Sequence, residues 1–143
     1  MASKVMSLRF APAQMERLNR LARRLGRTPS ETSALLVEES LRRSEFALID
    51  FRSSETGRQA FVQGTSLSVW EVVLVAQGYN LDASRTAQHL EWPLTRVQAA
   101  LGYAQAFPEE IQTAIQDNES YSFERLRRMV PQARLFPAPV QEA

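Results

Sequence analysis

The sequence predicts a mainly helical chain with short β structure, and three observations predict it. Residues 5–10 alternate in polarity like a single strand, and two helical segments follow with no second strand nearby. Residues 46–62 hold two β-compatible runs around a Ser-Ser-Glu-Thr-Gly turn. From residue 68 onward, apolar residues recur at helical spacing in segments punctuated by Gly, Asp and Pro. The chain's 143 residues have room for one ordinary domain or two small ones. The division read here is 1–45, 46–119 and 120–143.

In the segment Val5-Met6-Ser7-Leu8-Arg9-Phe10, Met6, Leu8 and Phe10 fall on one face and Val5, Ser7 and Arg9 on the other. A lone strand is not stable in water. The economical partner is the same segment of a second copy. Two such strands, paired antiparallel, make a ribbon with Met6, Leu8 and Phe10 turned toward the helices. Val5, Ser7 and Arg9 then project outward. A two-stranded ribbon fits the DNA major groove and can read base edges there.

Pro12 sits where a first-turn proline belongs, because it has no N–H to lose. Met15, Leu18, Leu21, Ala22 and Leu25 follow at helical spacing, and Gly26 closes the helix in a left-handed conformation. The opposite face carries Arg17, Arg20, Arg23 and Arg24, with Arg27 nearby. Thr28-Pro29-Ser30-Glu31 is a capping box, and the helix it opens runs to about Arg43. Ala34, Val37 and Leu41 share one face of that helix, with Leu35 and Leu36 alongside. Its N-terminus, with free N–H groups and a positive dipole end, suits a phosphate.

The alternating strand, the Leu25-Gly26-Arg27 helix break and the Thr28-Pro29-Ser30 start together resemble the ribbon-helix-helix (Arc/MetJ/CopG) family of DNA-binding dimers. The resemblance covers about residues 3–45. It implies an intermolecular two-stranded ribbon in which Val5, Ser7 and Arg9 read the groove and Thr28 and Ser30 clamp backbone phosphate. Val5 is apolar where family members often use a polar reader, so it would either touch a thymine methyl or contribute nothing.

A formal charge of +1 conceals an asymmetry. Residues 1–46 hold nine Lys/Arg against five Asp/Glu; residues 47–119 hold four against nine; residues 120–143 hold four against two. Duplex DNA is a dense polyanion, so the first segment is the expected DNA contact. With no cysteine, a disulfide framework and a thiolate metal site are both excluded. No apolar run is long enough to span a membrane and no signal-peptide pattern opens the sequence, so a cytoplasmic protein is the expectation.

In the middle segment the expected elements are a hairpin pairing Phe46–Phe51 with Gln59–Val62, then three helices. Ser68 caps the first, Val69–Gln77, which ends at Gly78 and is apolar on most sides, hence central. Asp82 caps the second, Ala83–His89, and Pro93 opens the third. Pro108 interrupts or restarts that helix, and Ile111, Ala114 and Ile115 continue its apolar stripe. Gly57-Arg58, the Gly64-Thr65 to Val69-Trp70-Glu71-Val72-Val73 run, Arg96-Val97 to Tyr103, and Phe107-Pro108-Glu109-Glu110-Ile111 resemble the domain-of-unknown-function family four-three-three. That resemblance spans about residues 47–119 and implies a compact helix-turn-helix-like bundle of three to four helices, common in prokaryotic antitoxins. The acidic balance favours a packing or partner-docking role for it over a second DNA surface.

Nothing points to catalysis. His89 stands alone, Glu109-Glu110 at a helix start compensates the dipole, and no phosphate loop, nucleophile motif or ligand cluster is present. Neither a catalytic residue nor a metal or other cofactor is expected. In residues 120–143, Ser122 would cap a short helix to about Val130, and three prolines follow. The segment carries anchors Phe123, Leu126, Met129, Val130, Leu135 and Phe136 with arginines Arg125, Arg127, Arg128 and Arg134. Such a segment suits an acidic partner on which it orders.

The order of head, middle module and tail resembles a type II antitoxin of the VapB kind. That resemblance implies operator DNA and a nuclease toxin with a PIN-like domain as partners, with autoregulation of the operon. Phe123, Arg127, Arg128, Arg134, Leu135 and Phe136 would bind the toxin, and Arg128 or Arg134 would pair with its metal-binding carboxylates. The assembly expected is a homodimer, to which the middle module could add a second interface and the toxin a hetero-oligomer. The competing reading is a stand-alone repressor with a ligand-sensing or oligomerising domain. A third is a nucleoid or copy-control protein binding many DNA sequences alike.

Overall fold

The structure, a computed structural model, describes residues 2–129, with the backbone alone at residues 120–127 and 129. Its elements are α1 (Pro12–Leu25), α2 (Pro29–Glu45), β1 (Ile49–Ser54), β2 (Gly57–Val62), α3 (Val69–Gln77), α4 (Ala83–Leu90), α5 (Leu94–Ala106) and α6 (Pro108–Met129). The chain is therefore mainly helical with one short antiparallel hairpin.

Local signals account for most boundaries. Pro12 opens α1, and Gly26 closes it at φ 66°, its N–H reaching the carbonyls of Ala22 and Arg23. Thr28 caps α2 through its hydroxyl, which accepts the Glu31 N–H at 3.1 Å, while the Glu31 carboxylate takes the Thr28 N–H at 3.3 Å. Ser68 and Glu71 repeat the box at α3, and Asp82 caps α4 by accepting the Arg85 N–H at 2.9 Å. Glu91, at φ 56°, ends α4 and turns the chain into α5 three residues later, a helix-turn-helix pair. Pro108 does restart the helix, since α5 stops at Ala106 and α6 begins at Pro108.

Two expectations need correction. The hairpin pairs Ile49 with Val62 through Ser54 with Gly57, so β1 starts three residues later than Phe46. The cause is α2, which continues to Glu45 and has Phe46 as its C-cap. Leu48 then takes φ 62° to turn the chain into the strand. Gly78 ends α3 as expected, in right-handed geometry, and the chain then passes through Asn80 and Leu81, both at positive φ. Finally, Ser122 does not begin a helix, because α6 runs unbroken across it to Met129. No Gly or Pro lies between Pro108 and Pro131, and a mid-helix serine costs only a few tenths of a kcal/mol, about 0.5.

The core belongs to residues 49–115. Ile49, Ala60 and Val62 from the hairpin meet Val69, Val72, Val73, Ala87, Val97, Ala100, Tyr103, Ile111 and Ile115. Helix α3 is central, as its all-round apolar sequence demands, and packs on α4, α5, α6 and β2. Helix α1 packs on α2, and Ala22 is its one buried residue. The buried polar side chains of Thr32, Ser68, Thr86 and Glu39 all find hydrogen-bond partners.

Val72 has no exposed surface. Val72→Ala should lower the urea unfolding free energy by about 2 kcal/mol, the transfer of two methyl groups plus the cavity they leave.

Candidate nucleic-acid interface and its anchor

Residues 2–11 precede α1 without regular secondary structure, and they pair with no strand among the described residues. Every side chain from Ala2 to Ala11 is exposed. The expected apolar face is bare: Met6 is 81% exposed, Leu8 59% and Phe10 43%. Val5, Ser7 and Arg9 are exposed as well. Helix α2 also presents Val37 and Leu41, each about half exposed, and Ala34 in the same row. Seven of the exposed large apolar side chains among the described residues thus lie between Val5 and Leu41, a concentration a finished core would not leave in water.

The basic residues of α1 are likewise exposed. Arg20 makes a surface pair with Glu16 at 2.9 Å, and side chains 59% and 71% exposed hold such a pair weakly. At the start of α2, Thr28 and Ser30 both face solvent. The capping box there uses two donors. Pro29 has no N–H, the Glu31 N–H is bonded to Thr28, and the Thr28 N–H is bonded to Glu31. Ser30 is left as the open N–H and hydroxyl of the first turn. A phosphate at this end meets one donor residue and the neighbouring Glu31 carboxylate, so the terminus is a narrower anion site than its sequence suggests.

The opposite face of α2 is where the head joins the rest of the molecule. Thr32, Leu35, Glu39 and Arg42 share it, at helical spacing. Glu39 is only 3% exposed and accepts Nε of Arg58 at 3.0 Å on one oxygen and Nη2 on the other. This fork-on-fork pair spans α2 and β2. The hydrogen bond to Glu39, ahead of the opposing effect of burial, raises the Arg58 pKa. One turn on, Nη1 of Arg42 donates to Tyr103 Oη at 2.7 Å and to Glu110 Oε1 at 2.8 Å. Its Nε donates to Glu38 at 2.9 Å, and its guanidinium lies 3.8 Å from the centre of the Phe107 ring. Burial opposes the Arg42 charge, but hydrogen bonds to Glu110, Glu38 and Tyr103 outweigh it and move its pKa above the ordinary arginine value. Tyr103 donates in turn to Glu110 Oε2 at 2.6 Å. Phe46, at the end of α2, stacks edge-on against Tyr103 and tilts against Phe107.

None of this anchor was legible as a site. Glu39 and Arg42 in step with Leu35 were the available signal, since two charges on a helix's inner face imply partners elsewhere. Arg58 marks one family resemblance but carries no hint of its mate. His89, read as isolated, shares a 2.7 Å hydrogen bond between Nδ1 and Tyr79 Oη on the surface. Of the tail residues, Arg128 is exposed on α6, Phe123 and Arg127 are described only as helix backbone, and Arg134, Leu135 and Phe136 lie outside the described residues. No helix among the described residues is long and apolar enough to cross a membrane. The chain matches no family model, and neither a characterised protein nor a solved structure matches it.

Two predictions come from the anchor. Arg58→Ala strands a buried carboxylate and should destabilise the protein by about 3 kcal/mol in urea unfolding, whereas replacing Glu39 and Arg58 together by Met should cost far less. Burial, then the hydrogen bond to Glu110, raises the Tyr103 pKa above the ordinary value of 10. Above about pH 10 the unfolded phenol loses its proton while the folded one keeps it, so stability should fall as pH rises through that range. Urea midpoints measured from about pH 8 to about pH 11 should show a shallower alkaline decline in Tyr103→Phe.

Proposed function

We propose that two copies of this chain pair their 2–11 segments into an antiparallel ribbon and bind operator DNA as a ribbon-helix-helix dimer. One observation carries the reading: the alternating segment and a row on α2 both leave large apolar side chains in water. Burying Met6, Leu8 and Phe10 against α1, α2 and their counterparts is worth roughly 1.5–3 kcal/mol for each side chain. A two-helix head that buries Ala22 and Thr32 has little other core. Pairing the strands also satisfies backbone groups that the protomer leaves to water.

In that dimer Val5, Ser7 and Arg9 turn outward into the major groove, Arg9 having the fork that suits guanine O6 and N7. Thr28 and Ser30 face the flanking phosphates. The arginines of α1 supply the field that holds the duplex. The more specific function is that of an antitoxin of the VapB kind, which represses its own operon and neutralises a PIN-like nuclease through residues 120–143. The order of head, bundle and basic anchored tail supports it, and Arg128 is exposed on α6.

Sedimentation should find a dimer that Leu8→Glu converts to monomer. In anisotropy titrations with duplex DNA from the chain's own promoter, Arg9→Ala should erase about 1–3 kcal/mol of preference over a scrambled duplex, while Arg24→Ala weakens both alike. A monomeric wild-type protein, or equal affinity for both duplexes, would overturn the operator reading. Deleting residues 120–143 should abolish neutralisation of the toxin encoded beside it; intact neutralisation would refute the antitoxin role alone.

A further inference from the structure

Where α2 passes from the head to the bundle, a cavity of about 240 Å³ opens between α2, the hairpin and α6. None of its lining residues belongs to the proposed groove-reading set. Its apolar walls include Phe51, Trp70 and Ile111. The Trp70 indole N–H donates to Gln59 Oε1 at 3.2 Å, which fixes the ring's orientation. Its charged walls are unbalanced, with carboxylates Glu38, Glu39, Glu110 and Asp117 against guanidiniums Arg42 and Arg58.

The pairing pattern decides the sign of a ligand. Arg58 is held on both sides of its fork by Glu39. Arg42 is held by Glu38 and Glu110. An anion entering the cavity would have to pull one of these guanidiniums from its carboxylate. A cation meets the reverse situation. Asp117 pairs with no cation among the described residues, and Glu38 uses only Oε1. Aromatic faces attract cations as well, most strongly where water is excluded. A partly enclosed space with apolar walls and a few convergent polar groups is the usual form of a small-molecule site.

We infer that this cavity binds a small organic monocation: an amine, amidine or guanidinium carried on a compact aromatic or aliphatic body. The charged end lies toward Asp117 and Glu38, and the body packs against Trp70. The site needs neither DNA nor a toxin, so its test is independent of the operator and antitoxin readings.

The full-length protein is titrated with benzamidine and with benzylamine, following tryptophan fluorescence, with benzyl alcohol and benzoate as neutral and anionic counterparts. A saturable change with the two cations is expected, and none with the other two. Trp70→Phe should abolish the signal, although Trp92 remains. A Glu38→Gln/Asp117→Asn double variant, with circular dichroism confirming its fold, should bind roughly tenfold or more weakly. The inference is overturned by no saturation at millimolar cation, by equal binding of benzyl alcohol, by undiminished affinity in the double variant, or by a signal that survives Trp70→Phe. Affinity that falls as protein concentration rises would mean that a side chain of a second copy fills the cavity, which also overturns it.

Discussion

Glu39 carries an ionised carboxylate to a place with almost no water, and Arg58 is what makes that tolerable. An isolated buried charge costs several kcal/mol, so α2 cannot separate from β2 without either rehydrating both groups or leaving one stranded. Arg42 adds a second tie one turn later, reaching α5 and α6 through Tyr103 and Glu110. Together they make α2 a shared element. Its first turns carry the capped, solvent-facing end, and its last turns belong to the bundle's edge. The direction of α2, and with it the placement of α1 packed on it, depends on these ion pairs.

The two faces of α2 are used in opposite ways. The Thr32, Leu35, Glu39 and Arg42 face is spent inside the protomer. The Ala34, Val37 and Leu41 row faces water. A helix row that the described residues leave bare is the kind of surface that marks an interaction site, and Met6, Leu8 and Phe10 are bare in the same way. The bundle has no such deficit, since α3 is covered by α4, α5, α6 and β2 and its core is continuous. This contrast, a completed bundle beside an unfinished head, is the physical basis for reading the head as half of an intermolecular unit.

The acidic bundle fits this arrangement electrostatically. Residues 47–119 carry an excess of carboxylates, whereas residues 1–46 carry an excess of cations. In the proposed dimer the negative module repels a polyanion, so the head alone attracts it. The same carboxylates gather around the cavity behind α2, where Arg42 and Arg58 neutralise only part of them.

By itself the sequence determined what short-range physics controls. The start of α1 at Pro12, its left-handed stop at Gly26, the capping boxes at Thr28 and Ser68, the Asp82 cap and the restart at Pro108 all depend on groups within four residues of each other, and each stands where the sequence puts it. Only the tertiary structure decided the rest. The hairpin moved three residues because α2 outran its expected end and gave Phe46 to the Tyr103–Phe107 cluster. A local cap at Ser122 yielded to the continuity of α6. The anchor joins residues 19, 61 and 68 positions apart, and no periodicity in one segment can name a partner that far along the chain. Such pairs are selected by which charges the packed bundle would otherwise leave buried and alone, a condition that exists only after the chain has folded.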